Sequence, residues 1–185
     1  NQAITIQGLV HQVLTCVYQR TRNSSQDTRE AARTVSNGVG AHFIDIDVDP
    51  IVSNYTKLIE TTIGRELTWE RDDLTLQNIQ ARVRSPGIWM IANLKSALLL
   101  ATSNRSEAAV GYTTMDGDTS GGLSPIGGID KNFLRSWLAW LQNTGPSGIR
   151  PFPFLRAVTD QQPTAELRPP EKHQTDEADL MPYEI

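Results

Sequence analysis

The stretch Leu98–Lys131, LLLATSNRSEAAVGYTTMDGDTSGGLSPIGGIDK, decides how the chain is read. Leu98-Leu99-Leu100-Ala101 has the length and composition of a strand buried on both faces. Six polar residues, Thr102 to Glu107, end it abruptly. In open α/β sheets ligands sit beyond the carboxyl ends of strands, so chemistry is expected here. A glycine-rich passage with Gly111, Gly117, Gly121, Gly122, Gly127 and Gly128 follows. Irregular connections of more than about 12–15 residues within a domain are usually functional or disordered. Lys131 then opens a helical pattern, where a cation opposes the helix dipole and a bound anion would account for it.

Upstream, helical and strand patterns alternate. Residues 1–12 read as the end of a helix, and Val13–Tyr18, rich in β-branched and aromatic residues, as a strand. The polar loop Gln19–Ser25 reads as a solvated turn or a nucleotide contact. Ser24 or Ser25 caps a helix over 26–37, stopped by Asn37-Gly38. His42–Asp49 alternates, with Ile44, Ile46 and Val48 on one face and Asp45, Asp47 and Asp49 on the other. That pattern predicts an edge strand with its carboxylates in water. Asp49-Pro50 starts a helix that Gly64 ends. Asp72 or Asp73 opens another, which places Asn78 and Arg82 on one face, as a binding pair or a surface hydrogen bond. Pro86-Gly87 should kink or break that helix before Ile88–Ala97 resumes it. The alternation predicts a parallel sheet covered by helices on both faces.

Downstream, Asp130 caps a helix with Phe133, Leu134, Trp137, Leu138 and Leu141 at core or interface spacing. Thr144–Pro153 reads as loop, and Thr159–Tyr183 as an acidic, proline-punctuated tail.

The 185 residues suit one domain, and 38% hydrophobic and 21% charged residues suit a globular chain. A net charge of -4 argues against broad nucleic-acid binding. No apolar run approaches the roughly 20 residues of a membrane span, and a cytoplasmic enzyme is expected. Cys16, the one cysteine, offers no disulfide framework. Asp116-x-Asp118-x-Ser120-Gly121 begins like a calcium loop, but its twelfth position is Gly127 rather than a glutamate. His11, His42 and His173 lack metal-ligand spacing. The chain opens at Asn1 and closes at Ile185. Both ends read as cuts through a longer protein, and a processed chain reads as well.

TSNRSE, GYTTMDGD, the lysine of GGIDK, PTAELRPP and QTDE together resemble the synthetase domain of glutamine-dependent NAD synthetases, over about Val13 to Tyr183. The resemblance implies a three-layer, Rossmann-like α/β fold of the adenine nucleotide alpha-hydrolase type, here incomplete at its N-terminus. It implies ATP-dependent amidation of deamido-NAD to NAD through an adenylate, releasing AMP and pyrophosphate. Ammonia would come from glutamine by a separate glutaminase domain. By motif, Thr102, Lys131 and Thr164 match ATP contacts, and Glu107 matches a magnesium and substrate ligand. Asn78 and Arg82 match residues that hold deamido-NAD. A homodimer or higher homo-oligomer is implied, with Trp137 and Trp140 as interface candidates.

Two departures stand out. Met115 falls where shorter members carry a substrate lysine, and Gly122 where they carry an aspartate. Ser120-Gly121-Gly122-Leu123-Ser124 resembles the family's SGGxDS pyrophosphate loop but lacks its aspartate and does not follow the first strand. The true loop is therefore expected before Asn1, and these 185 residues alone are expected to be inactive. Another ATP-pyrophosphatase, such as a GMP- or asparagine-synthetase relative, and a non-catalytic nucleotide-binding module are the alternatives.

Overall fold

A computed structural model describes residues 5–180. The expectations at residues 1–4 and 181–183 lie outside that range. Helix α1 (Ile6–Val13) is capped by Thr5, whose Oγ1 accepts from the Gly8 N–H at 3.0 Å. Strand β1 spans Thr15–Arg20 rather than Val13–Tyr18. Val13 still closes α1, and Gln19 and Arg20 pair with Ile46 and Asp47 of β2 (His42–Asp47). The two strands are parallel, and helix α2 (Gln26–Val39) connects them.

Ser25 caps α2 through the Thr28 N–H at 3.1 Å. The helix passes the expected stop at Asn37-Gly38 and ends at Gly40, whose φ of 83° is left-handed. Gly38 is needed for packing, not for termination. A Cβ there would lie 2.4 Å from the Phe154 ring.

On the acidic face of β2, Asp47 is exposed as expected, but Asp45 is not. The Asp45 carboxylate accepts from Arg29 Nε at 2.6 Å and lies 3.5 Å from Arg20 and 3.7 Å from Arg33. Alternation locates a face but not what covers it. Buried Val48, rather than Asp49, is the cap position of α3 (Asp49–Ile63), which ends as expected at Gly64 with φ 72°.

Helix α4 (Asp73–Lys95) runs through Pro86 without a break, so of the two expected outcomes, a kink or a break, the break does not occur. The lost backbone bond costs the helix, but side chains flanking the proline tie the turn to its neighbours. Arg84 Nε donates to Gln19 O at 3.0 Å, and Ser85 and Ser120 share a 2.7 Å hydroxyl bond.

Leu98–Ala101 is not a strand buried on both faces. Leu98 and Leu100 are 63% and 42% exposed, and the segment makes one parallel bridge, Leu100 to Leu123. Double-sided burial needs covering elements on each face. Within Leu98–Ala101 only Ala101 is buried. Helix α5 (Arg105–Val110) follows, then α6 (Lys131–Asn143). Phe133, Trp137 and Trp140 of α6 are exposed, so these aromatics are not core. The 144–152 loop leads to a 3-10 turn (Pro153–Leu155) and α7 (Arg156–Thr159). A second 3-10 turn (Pro170–Lys172) precedes α8 (Asp176–Asp179). No helix among the described residues is long and apolar enough to cross a membrane.

Candidate functional site

The polar residues after Ala101 build a helix start. Asn104, 3% exposed, caps α5: its Oδ1 accepts from the Glu107 N–H at 3.1 Å, while Glu107 Oε2 accepts from the Asn104 N–H at 3.1 Å. This reciprocal capping box fixes the Glu107 carboxylate relative to the backbone. Asn104 Nδ2 also donates to Glu107 Oε1 at 2.6 Å.

The loop between α5 and α6 returns to this point. Arg105 N–H donates to Ile129 O at 2.9 Å, and the Lys131 N–H donates to Ser106 Oγ at 3.0 Å. Asp130 caps α6 through the Phe133 N–H at 2.8 Å and also accepts from Arg105 at 3.1 Å. Lys131 is thus the first residue of α6, and its Nζ donates to Glu107 Oε1 at 3.0 Å. Asp176, 6% exposed, brings a second carboxylate to 3.6 Å from the same ammonium.

Asp176 arrives on a folded segment rather than a loose tail. Its N–H donates to Pro163 O at 3.1 Å, and Thr164 Oγ1 donates to Gln174 O at 2.6 Å. Gln174 Oε1 accepts from the Leu167 and Arg168 N–H groups at 3.0 and 3.1 Å. PTAELRPP and QTDE therefore form one closed unit. It is anchored by Leu167 O, which accepts from Asn23 at 3.0 Å and Gln80 at 2.6 Å, and by Arg168, which reaches Asp73 at 2.9 Å. Glu166 Oε2 accepts from the Ser25 N–H at 3.1 Å, at the start of α2. A pocket of about 190 Å³ opens between this unit and the loop after β1, lined by Asn23, Ser25, Thr164, Arg168 and His173 among others.

Three of the expected site residues are thereby connected: Glu107 and Lys131 directly, and Thr164 through the segment that delivers Asp176. Asn78 and Arg82 instead meet the glycine-rich loop. Thr114 Oγ1 donates to Asn78 Oδ1 at 3.0 Å, and Arg82 Nε donates to Met115 O at 3.2 Å. Thr102 is exposed between Ala101 and α5. Gly121 and Gly122 lie against Leu99–Ala101, with Gly122 N–H donating to Leu99 O at 2.8 Å and a Cβ at Gly121 falling 2.5 Å from Ala101 N. These glycines serve close backbone approach.

Electrostatics mark the anchoring segment. Hydrogen bonding from Arg168 lowers the Asp73 pKa against the effect of burial. Burial works to raise Asp179, but bonds from Gln174, Arg168 and Tyr112 outweigh it and lower the pKa. Burial pushes the Arg84 guanidinium down, with Asp118 opposing.

A family model described as NAD synthase matches residues 3–185. The chain belongs to the NAD synthase family. Glutamine-dependent NAD(+) synthetases from Saccharomyces cerevisiae and Aquifex aeolicus are 32% and 35% identical to it, over 96% and 91% of this chain. The alignments span 27% and 28% of those proteins, so the chain covers a little over a quarter of their length. The crystal structure of a glutamine-dependent NAD(+) synthetase from Cytophaga hutchinsonii is 49% identical and superposes with a TM-score of 0.78, covering 87% of this chain and 27% of that one. NMN synthetase from Francisella tularensis, at 18% identity, covers 90% of this chain and 61% of that one with a TM-score of 0.72, and shares the fold. The expected α/β fold is that of the NAD synthase family.

Within this family member, sequence reasoning gave Asp176 no role although it stood in the quoted QTDE. Its burial and its proximity to Lys131 are long-range properties. Ser106 was equally silent, because a serine in a polar run carries no signal that it will accept from the start of α6.

Proposed function

We propose that this chain carries part of the site for ATP-dependent amidation of deamido-NAD to NAD, with adenylation of the nicotinate carboxylate followed by displacement of AMP by ammonia. Ammonia would be supplied from glutamine by a separate domain, and pyrophosphate and AMP are the other products. The observation that carries this reading is the Glu107–Lys131 pair at the N-terminus of α6, 3.0 Å apart. A cation and a fixed carboxylate there meet the needs of a metal-complexed phosphate, which a helix N-terminus also favours.

Lys131 neutralises phosphate charge as pyrophosphate leaves, while Thr102 and Thr164 contact ATP. Asn78 and Arg82 orient deamido-NAD against the glycine-rich loop. No protein nucleophile is required, because positioning and charge neutralisation supply the rate. Among the described residues no group of three or more His, Cys, Asp or Glu is placed to hold a metal. Magnesium is commonly held by one or two carboxylates plus substrate phosphates. Glu107 would hold it, and the ion would supply charge stabilisation at the phosphates. We place the reaction in the cytoplasm, in a homodimer or higher homo-oligomer. Exposed Trp137 and Trp140 support such an interface.

Lys131→Met in the full-length protein tests the reading. ATP use should fall by about 10²–10³-fold, the scale of losing one charge-stabilising donor. Unchanged ATP kinetics would return Lys131 to a structural ion pair.

A further inference from the structure

Helix α4 and the glycine-rich loop meet at Asn78, Ala81 and Arg82. Gly117 lies so close that a Cβ there would fall 2.9 Å from the carbonyl carbon of Ala81, itself 0% exposed. Backbone packed this tightly does not shift without losing the contact. Thr114, buried in the same turn, is held at both ends of its peptide units. Its N–H donates to Asp118 Oδ2 at 3.0 Å, and its carbonyl accepts from the Gly117 N–H at 3.0 Å. The Thr114 hydroxyl donates to Asn78 Oδ1 at 3.0 Å. An asparagine amide has an acceptor end and a donor end. With Oδ1 turned to Thr114, the Nδ2 donors are the end left for a ligand. One turn on, Arg82 Nε donates to Met115 O at 3.2 Å, and the two terminal amino groups of this exposed side chain lie outside that bond. Side chains four apart on a helix are neighbours, so the pair offers N–H donors and one positive charge.

We propose that Thr114 is a positioning residue that aims the Asn78 amide, beside Arg82, donor-first at an anionic oxygen of the dinucleotide substrate. The inference rests on the reading of Asn78 and Arg82 as contacts of deamido-NAD, and it names the substrate group they meet. Amide and guanidinium N–H donors suit phosphate or carboxylate oxygen. Deamido-NAD carries both, in its diphosphate and in its nicotinate carboxylate. The two ends of an asparagine amide have nearly the same shape, and the hydrogen-bond network alone decides which way it points. Without the Thr114 hydroxyl the amide is free to turn over and set Oδ1 against the anion. Thr114 therefore fixes the productive orientation before substrate arrives, and the rigid loop beneath it keeps that geometry.

Steady-state kinetics of the full-length protein test this with Thr114→Val, which keeps the shape and removes the donor, and Thr114→Ser, which keeps the hydroxyl. Thr114→Val should raise KM for deamido-NAD by about tenfold, the scale of one hydrogen bond to a charged group, and leave KM for ATP within about twofold. Thr114→Ser should restore the wild-type values. Asn78→Asp keeps the acceptor for Thr114 but sets a carboxylate against the substrate anion. Its KM for deamido-NAD should exceed that of Asn78→Ala by a further factor of about ten, the scale of one like charge at short range. NAD as a product inhibitor distinguishes the two oxygens, because it has the same diphosphate but an amide for the carboxylate. An Asn78→Asp loss shared by NAD supports a diphosphate contact, and a loss confined to deamido-NAD supports a carboxylate contact. Equal rises in both KM values for Thr114→Val would mean that Thr114 only supports the fold, and would overturn the proposal. Asn78→Asp no weaker than Asn78→Ala would mean that Asn78 accepts rather than donates, and would also overturn it. Asn78→Ala separates this inference from the reading beneath it. An unaltered KM for deamido-NAD there would remove the substrate assignment. A raised KM there, with Thr114→Val unaltered, would remove the positioning role alone.

Discussion

Glu107 Oε1 accepts from Asn104 Nδ2 at 2.6 Å and from Lys131 Nζ at 3.0 Å. One carboxylate therefore closes the cap of α5 and pairs with the first residue of α6. Capping and ligand binding are separate roles that Asn104-x-x-Glu107 could serve. In the fold they are one arrangement, since the cap holds the carboxylate rigid where Lys131 meets it.

Glu107→Gln should therefore not be neutral for stability. Glutamine offers one oxygen where the wild type uses two, and its amide faces an N–H donor. We expect a loss of about 1–2 kcal/mol in denaturant unfolding, the range for a lost cap or charged hydrogen bond. The turnover rate of the full-length protein at saturating magnesium should fall by roughly 10² or more. A surviving rate with lowered stability would leave Glu107 as a cap only.

Thr164 closes the 163–180 unit through its bond to Gln174 O at 2.6 Å. Thr164→Val keeps the shape and removes the donor, at a cost of about 1 kcal/mol. Trypsin at exposed Lys172 reports the opening, because the Arg168-Pro169 bond resists the protease. Cleavage should quicken about fivefold if it follows the open population. An unchanged cleavage rate would mean that the unit is held by its outer anchors alone.

Gly121 sits where a Cβ would fall 2.5 Å from Ala101 N, whereas Gly128 has nothing within 4 Å. Gly121→Ala should destabilise by about 2 kcal/mol, as overpacking against backbone does. Gly128→Ala should stay within about 0.5 kcal/mol, as for an unconstrained surface change. Equal denaturant midpoints for the two variants would contradict the close approach of the glycine loop to Leu99–Ala101.

The Asp73–Arg168 bond predicts an acid dependence. Folding lowers the Asp73 pKa from 3.8, so its contribution is complete above that value and fades as pH falls through the lower folded one. Asp73→Asn should cost about 1 kcal/mol near neutral pH, the upper range for a partly exposed pair. The difference from wild type should shrink as pH falls below the usual carboxylate range. A difference constant across this range, followed by denaturant unfolding, would exclude the ion pair as its source.

What could be read from the residues is what is decided within a turn of chain. Ser25 and Asp130 each cap a helix by accepting from the amide three residues on, and Gly64 ends α3 by adopting the left-handed conformation. Those interactions need no partner from elsewhere, so the sequence by itself determined them, along with the strand–helix–strand alternation and the polar stop after Ala101. Only the tertiary structure decided the rest. It covered the Asp45 face with arginines, carried α4 through Pro86 and left Leu98 and Leu100 exposed. It also brought Asp176 to within 3.6 Å of Lys131. Burial and ion pairing depend on which distant segments return to the same place, and no local spacing carries that information.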